Sequence, residues 1–343
     1  MTIGQASGVN AGQRRGLALR LLPWALRLVV TAGLAALIVL RVDLSEMAQA
    51  WQGFDLRWLT PALLVTASVR LLDAVRWRLY LSKYGEAPFS GLLGAFLIGN
   101  LGNTLLPFRA GDLAKVQILA NRYRIPRAAL TSSTFILESV TDGVTFSLLL
   151  LASLPFLDVP AVPDALLLAF ASLGLGGFVI VTLLSRTLPA DLFDQAWPRR
   201  LIATDLREWL HRQWPAFLDG LETLRRRRLW GPVLVLNTVG WTVQAISFWM
   251  FGLAFDLDLS FSNYLVVMVT ANLVGAIPIT FFNFGTYEAA VLELVAAWGV
   301  ARDEALAFAL ATHLLTNLLI IALGIAAAAV MRVQIREIFR LRD

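Results

Sequence analysis

Near the C-terminal end, the run "ALAFALATHLLTNLLIIALGIAAAAVM" (305–331) contains no Asp, Glu, Lys or Arg. In hydrocarbon every backbone N–H and C=O must find its partner inside the protein, and an α-helix of about 20 apolar residues does this while crossing the bilayer. The run "VLVLNTVGWTVQAISFWMFGLAF" (233–255) has the same character. Six spans are predicted in all, at 21–40, 60–81, 127–154, 165–185, 230–255 and 304–331. The predicted fold class is therefore an all-α polytopic integral membrane protein, one transmembrane domain over 1–343 with about six full transmembrane helices. Composition agrees: 58% of residues are hydrophobic and 15% charged, against about 25% charged in soluble domains.

Several chemistries lack their residues. The chain has no cysteine and two histidines, His211 and His313, with no HExxH and no GxxxxGK[ST]. No catalytic residue, metal or cofactor is expected, and an ATP-driven pump or zinc protease is disfavoured. The net charge of +5 reads as membrane topology rather than as a nucleic-acid signal. Nine Arg face six acids between 186 and 230, and the tail adds Arg332, Arg336, Arg340 and Arg342. The positive-inside rule puts both, and the N-terminus, in the cytoplasm. The acidic segments "LDVPAVPD" (157–164) and "DLDLSFS" (256–262) then face outward. An "AQA" at 48–50 resembles a signal-peptidase site, but it lies well beyond the apolar run, so 21–40 is read as a helix and not as a leader.

Two further apolar regions, 89–124 and 261–300, are interrupted. The first breaks at "LLPFRAGD", the second at "IPITFFNFGTYE", with Pro107, Gly111, Pro278 and Gly285 as the structural breaks. Following the chain through the topology gives helix, broken hairpin, helix twice, in opposite orientations. The repeats cover about 58–155 and 230–331, joined through a cytoplasmic amphipathic linker at 186–229. Re-entrant hairpins and two complete crossings both preserve this parity. Paired interruptions in inverted repeats are a pointer to a transporter's substrate site. In the linker an apolar stripe from Leu206 to Leu224 suits a helix lying on the anionic leaflet, or one packed on its neighbours, with Pro215 expected to kink or split it.

Ionisable groups inside the spans are the candidate substrate-binding residues, because each costs about 2.5–3.5 kcal/mol at a helix centre unless partnered. Arg70, Asp73 and Arg76 recur at intervals of three, so Asp73 can pair with either Arg; for Arg76 and Arg78, snorkelling to cytoplasmic phosphates is the competing reading. Arg109, Asp112 and Lys115 follow Pro107, which suits a first helical turn; a helix starting there would give Arg109 an anion site at its N-terminus, an ordinary charged loop being the alternative. Glu138 and Asp142 share a helix face and need neutralising by cations such as Arg109 or Lys115, or by protons; a structural salt bridge competes with a transport role. His313 and Asn317 repeat that spacing in the matching helix, where a core histidine is the plainer reading. At the second break stand Asn283 and Glu288, the latter equally suited to capping a helix.

The stretches "LLPFRAGDLAKVQIL", "LESVTDG" and "GAIPITFFNFGTYEAAVLEL" together resemble the lysylphosphatidylglycerol synthase transmembrane (flippase-type) family, over roughly residues 20–335. The motif P-x-R-x-G-[ED] is present as Pro107, Arg109, Gly111 and Asp112. The chain departs from the family pattern at Ser139, where Arg usually follows the Glu, and near His313, where Arg is common. The resemblance implies a lipid-moving unit without the soluble lysyl-transferase domain. The resulting expectation is a flippase-like translocase, not an enzyme, moving an anionic phosphate-bearing lipid in a bacterial inner membrane. Its partners would be membrane lipids and lipid-biosynthetic enzymes. A membrane-embedded lipid-modifying transferase and a scaffold of a lipid or hopanoid biosynthetic complex are the alternatives.

Overall fold

The structure is a computed structural model. It describes residues 51–85, 87–106, 109–156, 164–194, 203–276, 280 and 283–333, with a few isolated positions before 51. The predicted first span, most of the "AQA" segment, Pro107 and Pro278 lie outside the described residues. Five helices are long and apolar enough to cross a membrane: Leu56–Tyr80, Arg127–Phe156, Leu167–Thr187, Arg228–Ala254 and Arg302–Met331. They match the last five predicted spans to within a few residues.

The first of them, α1 (Leu56–Tyr80), starts at Asp55, whose carboxylate accepts the Arg57 backbone N–H at 3.0 Å. Two shorter helices follow, α2 (Phe89–Leu105) and α3 (Ala110–Tyr123). The next rod consists of α4 (Arg127–Ser132), a π-helical turn Ser133–Leu137, and α5 (Glu138–Ser153). After α6 (Asp164–Thr187) the connection carries α7 (Thr204–Gly220) and α8 (Glu222–Arg225). Then the sequence of lengths recurs: long α9 (Arg227–Ala254), short α10 (Phe261–Ala276), short α11 (Thr286–Ala297) and long α12 (Arg302–Met331).

Packing repeats as well as length. Contacts of α1 with α2, α2 with α3, and α3 with α4 have counterparts in α9 with α10, α10 with α11, and α11 with α12. Across the two units, α2 packs on α12 as α10 packs on α5, and α1 touches α12 as α9 touches α5. The largest contact joins α1 to α9. These two run antiparallel, because the Asp55 N–H bonds the Ala254 carbonyl at 2.8 Å whereas Thr66 meets Ser247, 2.6 Å between hydroxyl oxygens. One apolar core, around Trp77, Phe96 and Leu119, fills the first unit and reaches Leu221 and Leu224. A second, around Tyr264, Val291 and Phe308, fills the other.

Two local expectations need correction. Pro215 neither splits nor ends α7; the break comes at Leu221. Pro215 and His211, whose carbonyl would have taken the missing N–H, are both exposed, so water can satisfy that group. The helix expected after Pro107, itself outside the described residues, begins later than that Pro would place it. Arg109 sits at φ 53°, in the left-handed region, and α3 starts after it at Ala110.

Candidate functional site

Residues flanking both breaks, Asn103 and Arg109 in the first unit and Asn283 in the second, line one cavity. In the first, α2 and α3 cross at glycines: a methyl on Gly111 would overlap the Gly99 carbonyl and the Asn103 backbone, and one on Gly102 would meet Gly111 itself. This close approach puts Asn103 beside the start of α3. Its side-chain oxygen accepts the Asp112 N–H at 3.1 Å, and its amide donates to the Asp112 carboxylate at 3.1 Å. Arg109 donates to the same carboxylate at 2.8 Å through Nε.

Behind that break lies a buried ion network. Lys115 is 3.1 Å from Glu138 and 3.6 Å from Asp112, and lies over the Trp77 and Phe96 rings at 4.3 and 4.9 Å. Arg76 reaches Glu138 at 3.0 Å, Asp142 at 3.2 Å and Asp73 at 3.3 Å. Asp73 also holds Arg70 at 3.3 Å. Trp241 Nε1 donates to Asp142 at 2.9 Å. Four cations therefore face four carboxylates, with Arg76, Asp112, Lys115 and Glu138 all less than a tenth exposed. Burying such charges is tolerable only when they are paired and hydrogen-bonded.

In the second unit the counterpart is smaller. Asn283 (φ 57°) and Gly285 (φ 88°) take left-handed conformations just before α11, as Arg109 does before α3. Glu288 accepts the Gly285 N–H at 2.6 Å, so the capping reading holds, and its other oxygen lies 2.6 Å from His313 Nδ1. Tyr287 stacks on the imidazole at 4.3 Å. The positions correspond: Asp112 and Glu288 are each third in their helix, and Glu138 and His313 each twelfth in their rod, counted from Arg127 and Arg302.

Two cavities join these clusters. One, of about 190 Å³, is lined by Asp73, Arg76, Glu138, Asp142 and Asn237 among others. The second, of about 320 Å³, is lined by Asn103, Gln244, Asn283, Tyr287, His313 and Asn317 among others. Both share Arg70, Asn100, Arg109, Trp241 and Asn272. Asn100 and Asn272 are again equivalent, each twelfth in its short helix. At this junction Arg70 Nε is buried without a partner, and Arg109 bonds Asp112 through Nε with its side chain 48% exposed and lining both cavities.

The predicted residues thus separate into two kinds. Arg70, Asp73, Arg109, Glu138, Asp142, Asn283 and His313 line a cavity. Lys115, Asp112 and Glu288 stand behind the walls; Lys115 lines neither cavity, being enclosed by its two carboxylates and two rings. Arg76, whose competing explanation was snorkelling, is 4% exposed and central to the network, whereas Arg78 is exposed. The interval of three through Arg70, Asp73 and Arg76 carried that information. Asn100, Asn237, Trp241 and Asn272 carry no charge, so a search for ionisable groups in the spans does not reach them.

The fold and site define a polytopic membrane protein with a charge-lined cavity between two similarly ordered helical units. Residues 24–324 match the lysylphosphatidylglycerol synthase TM region, and the chain belongs to that family. A curated relative from Haloferax volcanii, named glycosyltransferase AglD, is 26% identical over 352 residues, covering 90% of this chain and 55% of that protein. The chain thus spans about half the length of that relative. No solved structure matches.

Proposed function

We propose that this protein is a flippase-like lipid translocase, moving an anionic, phosphate-bearing lipid between leaflets. The observation that carries this reading is the cavity junction, where Arg70 and Arg109 hold unused N–H donors between the two units. A phosphate suits a guanidinium because its oxygens accept paired N–H donors. The repeated packing and the antiparallel α1 and α9 support an inverted repeat, 58–155 against 230–331. One unit would rock against the other while the lipid's chains stay in the membrane. The arginine-rich linker and tail favour cytoplasmic termini in a cytoplasmic membrane.

The test is leaflet exchange of headgroup-labelled phosphatidylglycerol in liposomes carrying the purified protein. Wild type should accelerate exchange, and Arg109→Ala should abolish it while the protein elutes and melts as before. Ala has the same backbone constraint at φ 53° as Arg, so the strain is unchanged. No acceleration by wild type under any imposed gradient would overturn the reading; full activity in Arg109→Ala would remove the phosphate assignment.

One comparison favours a second reading. The Haloferax relative is named a glycosyltransferase, which keeps a membrane-embedded lipid-modifying transferase in play. A mass change in candidate lipids after incubation with purified protein would establish that alternative. A scaffold role would leave Arg109 and Glu138 variants without effect on the lipid pathway.

A further inference from the structure

The charges of the site balance before any ligand arrives. Arg70, Arg76, Arg109 and Lys115 stand against Asp73, Asp112, Glu138 and Asp142. Glu288 adds a fifth carboxylate, 0% exposed, and its neighbour is His313, 8% exposed. With His313 neutral the cluster is one negative charge in excess, so it is not a cationic pocket waiting for an anion. A phosphodiester entering it would bring a second uncompensated negative charge into a wall of low dielectric, where such an excess is costly.

His313 is built to relieve this. Its Nδ1 lies 2.6 Å from Glu288; a carboxylate there accepts from Nδ1–H, which leaves Nε2 as the atom that can gain a proton. Nε2 makes no hydrogen bond to a described residue, is not among the buried unpartnered atoms, and belongs to a side chain lining the larger cavity. Protonated, Nε2 becomes a donor aimed at the same space as Arg70 and Arg109. The groups facing it from the packed elements are few. They are Tyr287 and Glu288 on α11, Arg70 on α1 and Arg109 before α3, whereas α2 offers Asn100, Asn103 and Thr104, and α9 offers Trp241 and Gln244. Among the described residues lining that cavity, no other neutral base of imidazole type is present.

We propose that the Glu288–His313 pair is a proton site coupled to the anion: the phosphate headgroup binds together with one proton, taken up at His313 Nε2, so that lipid and proton move as co-substrates. This rests on the anion reading of the cavity. The proton comes from solvent entering the cavity and returns to it when the headgroup leaves; no bond of the lipid is made or broken. By linkage, affinity for the anion falls as pH rises, by up to about tenfold per pH unit for one proton.

The test uses the full chain in non-ionic detergent, titrated calorimetrically with dimethyl phosphate and, separately, with phosphatidylglycerol in mixed micelles. Neither probe titrates between pH 5.5 and 8.5, so proton uptake read from two buffers of different ionisation enthalpy belongs to the protein. Wild type should take up about one proton per anion. His313→Gln should bind with uptake near zero and with flat pH dependence by losing the base, and Glu288→Gln should lose uptake by removing the carboxylate that stabilises the imidazolium. Binding of both probes means the phosphate suffices; binding of phosphatidylglycerol alone means the rest of the lipid is also read. Loss of uptake in either folded variant supports the pair. Wild-type binding without proton uptake, or uptake kept in both variants, overturns the coupling and leaves the anion site standing. Failure of both probes to bind wild type overturns the coupling and the anion reading together.

Discussion

Arg76 shows how much a single side chain can hold in this protein. Its guanidinium meets Asp73, Glu138 and Asp142 within 3.3 Å, and its ring neighbour Tyr80 lies 5.8 Å away. Removing it would leave carboxylates buried without their cation, a change that typically costs about 3–5 kcal/mol. Arg76→Leu should therefore lower the thermal midpoint sharply in detergent, and Arg76→Leu with Glu138→Gln should recover part of the loss. Unchanged melting in the single variant would show that the network is not stabilising. Arg70 and Arg109 contrast with this: each has one carboxylate partner, and both line the two cavities. The sequence placed all these charges in apolar segments. It could not separate the arginine that holds the network from those that face its opening, because that depends on which face of α1 meets α5.

At the scale of elements, the first break works through glycine. Gly99, Gly102 and Gly111 let the α2 and α3 backbones approach until a methyl on Gly111 has no room against backbone atoms, which cannot rotate away. Overpacking of this kind costs about 1–3 kcal/mol. Gly111→Ala should destabilise the protein by about that amount and disturb the Asn103 contacts to Asp112, whereas Gly176→Ala, in open space on α6, should be neutral or mildly stabilising; differential scanning of both variants checks this. Gly111 was legible as one of the structural breaks. The π-helical turn at Ser133–Leu137 was not. It directly precedes Glu138, and the hydroxyls of Ser132 and Ser133 donate to the Phe217 and Gly220 carbonyls at 2.7 and 2.9 Å. The linker helix α7 is thereby docked on the rod that carries the carboxylates. Composition gives no warning of such a turn, since "STFIL" is as ordinary in an α-helical membrane span as in a π-helical turn.

For the whole molecule, the decisive contact is α1 against α9, the two antiparallel helices that join the units. If the proposed rocking moves one unit on the other, a bond across this seam should stop it. The chain contains no cysteine, so Thr66→Cys with Ser247→Cys introduces the only thiols, at hydroxyls now 2.6 Å apart. Oxidation should halt leaflet exchange and reduction restore it; exchange at full rate in the cross-linked protein would count against rocking at this seam.

The sequence by itself determined the class: long apolar runs leave the backbone no option but membrane helices, and paired interruptions at equivalent places marked where the regular pattern gives way. Spacing on a single helix also paired Asp73 with its arginines. Only the tertiary structure decided which charges neutralise one another, because ion pairs such as Arg76–Glu138 and Lys115–Glu138 join residues on different helices. Their partners are chosen by helix packing, a property of distances between elements that no run of one chain segment encodes.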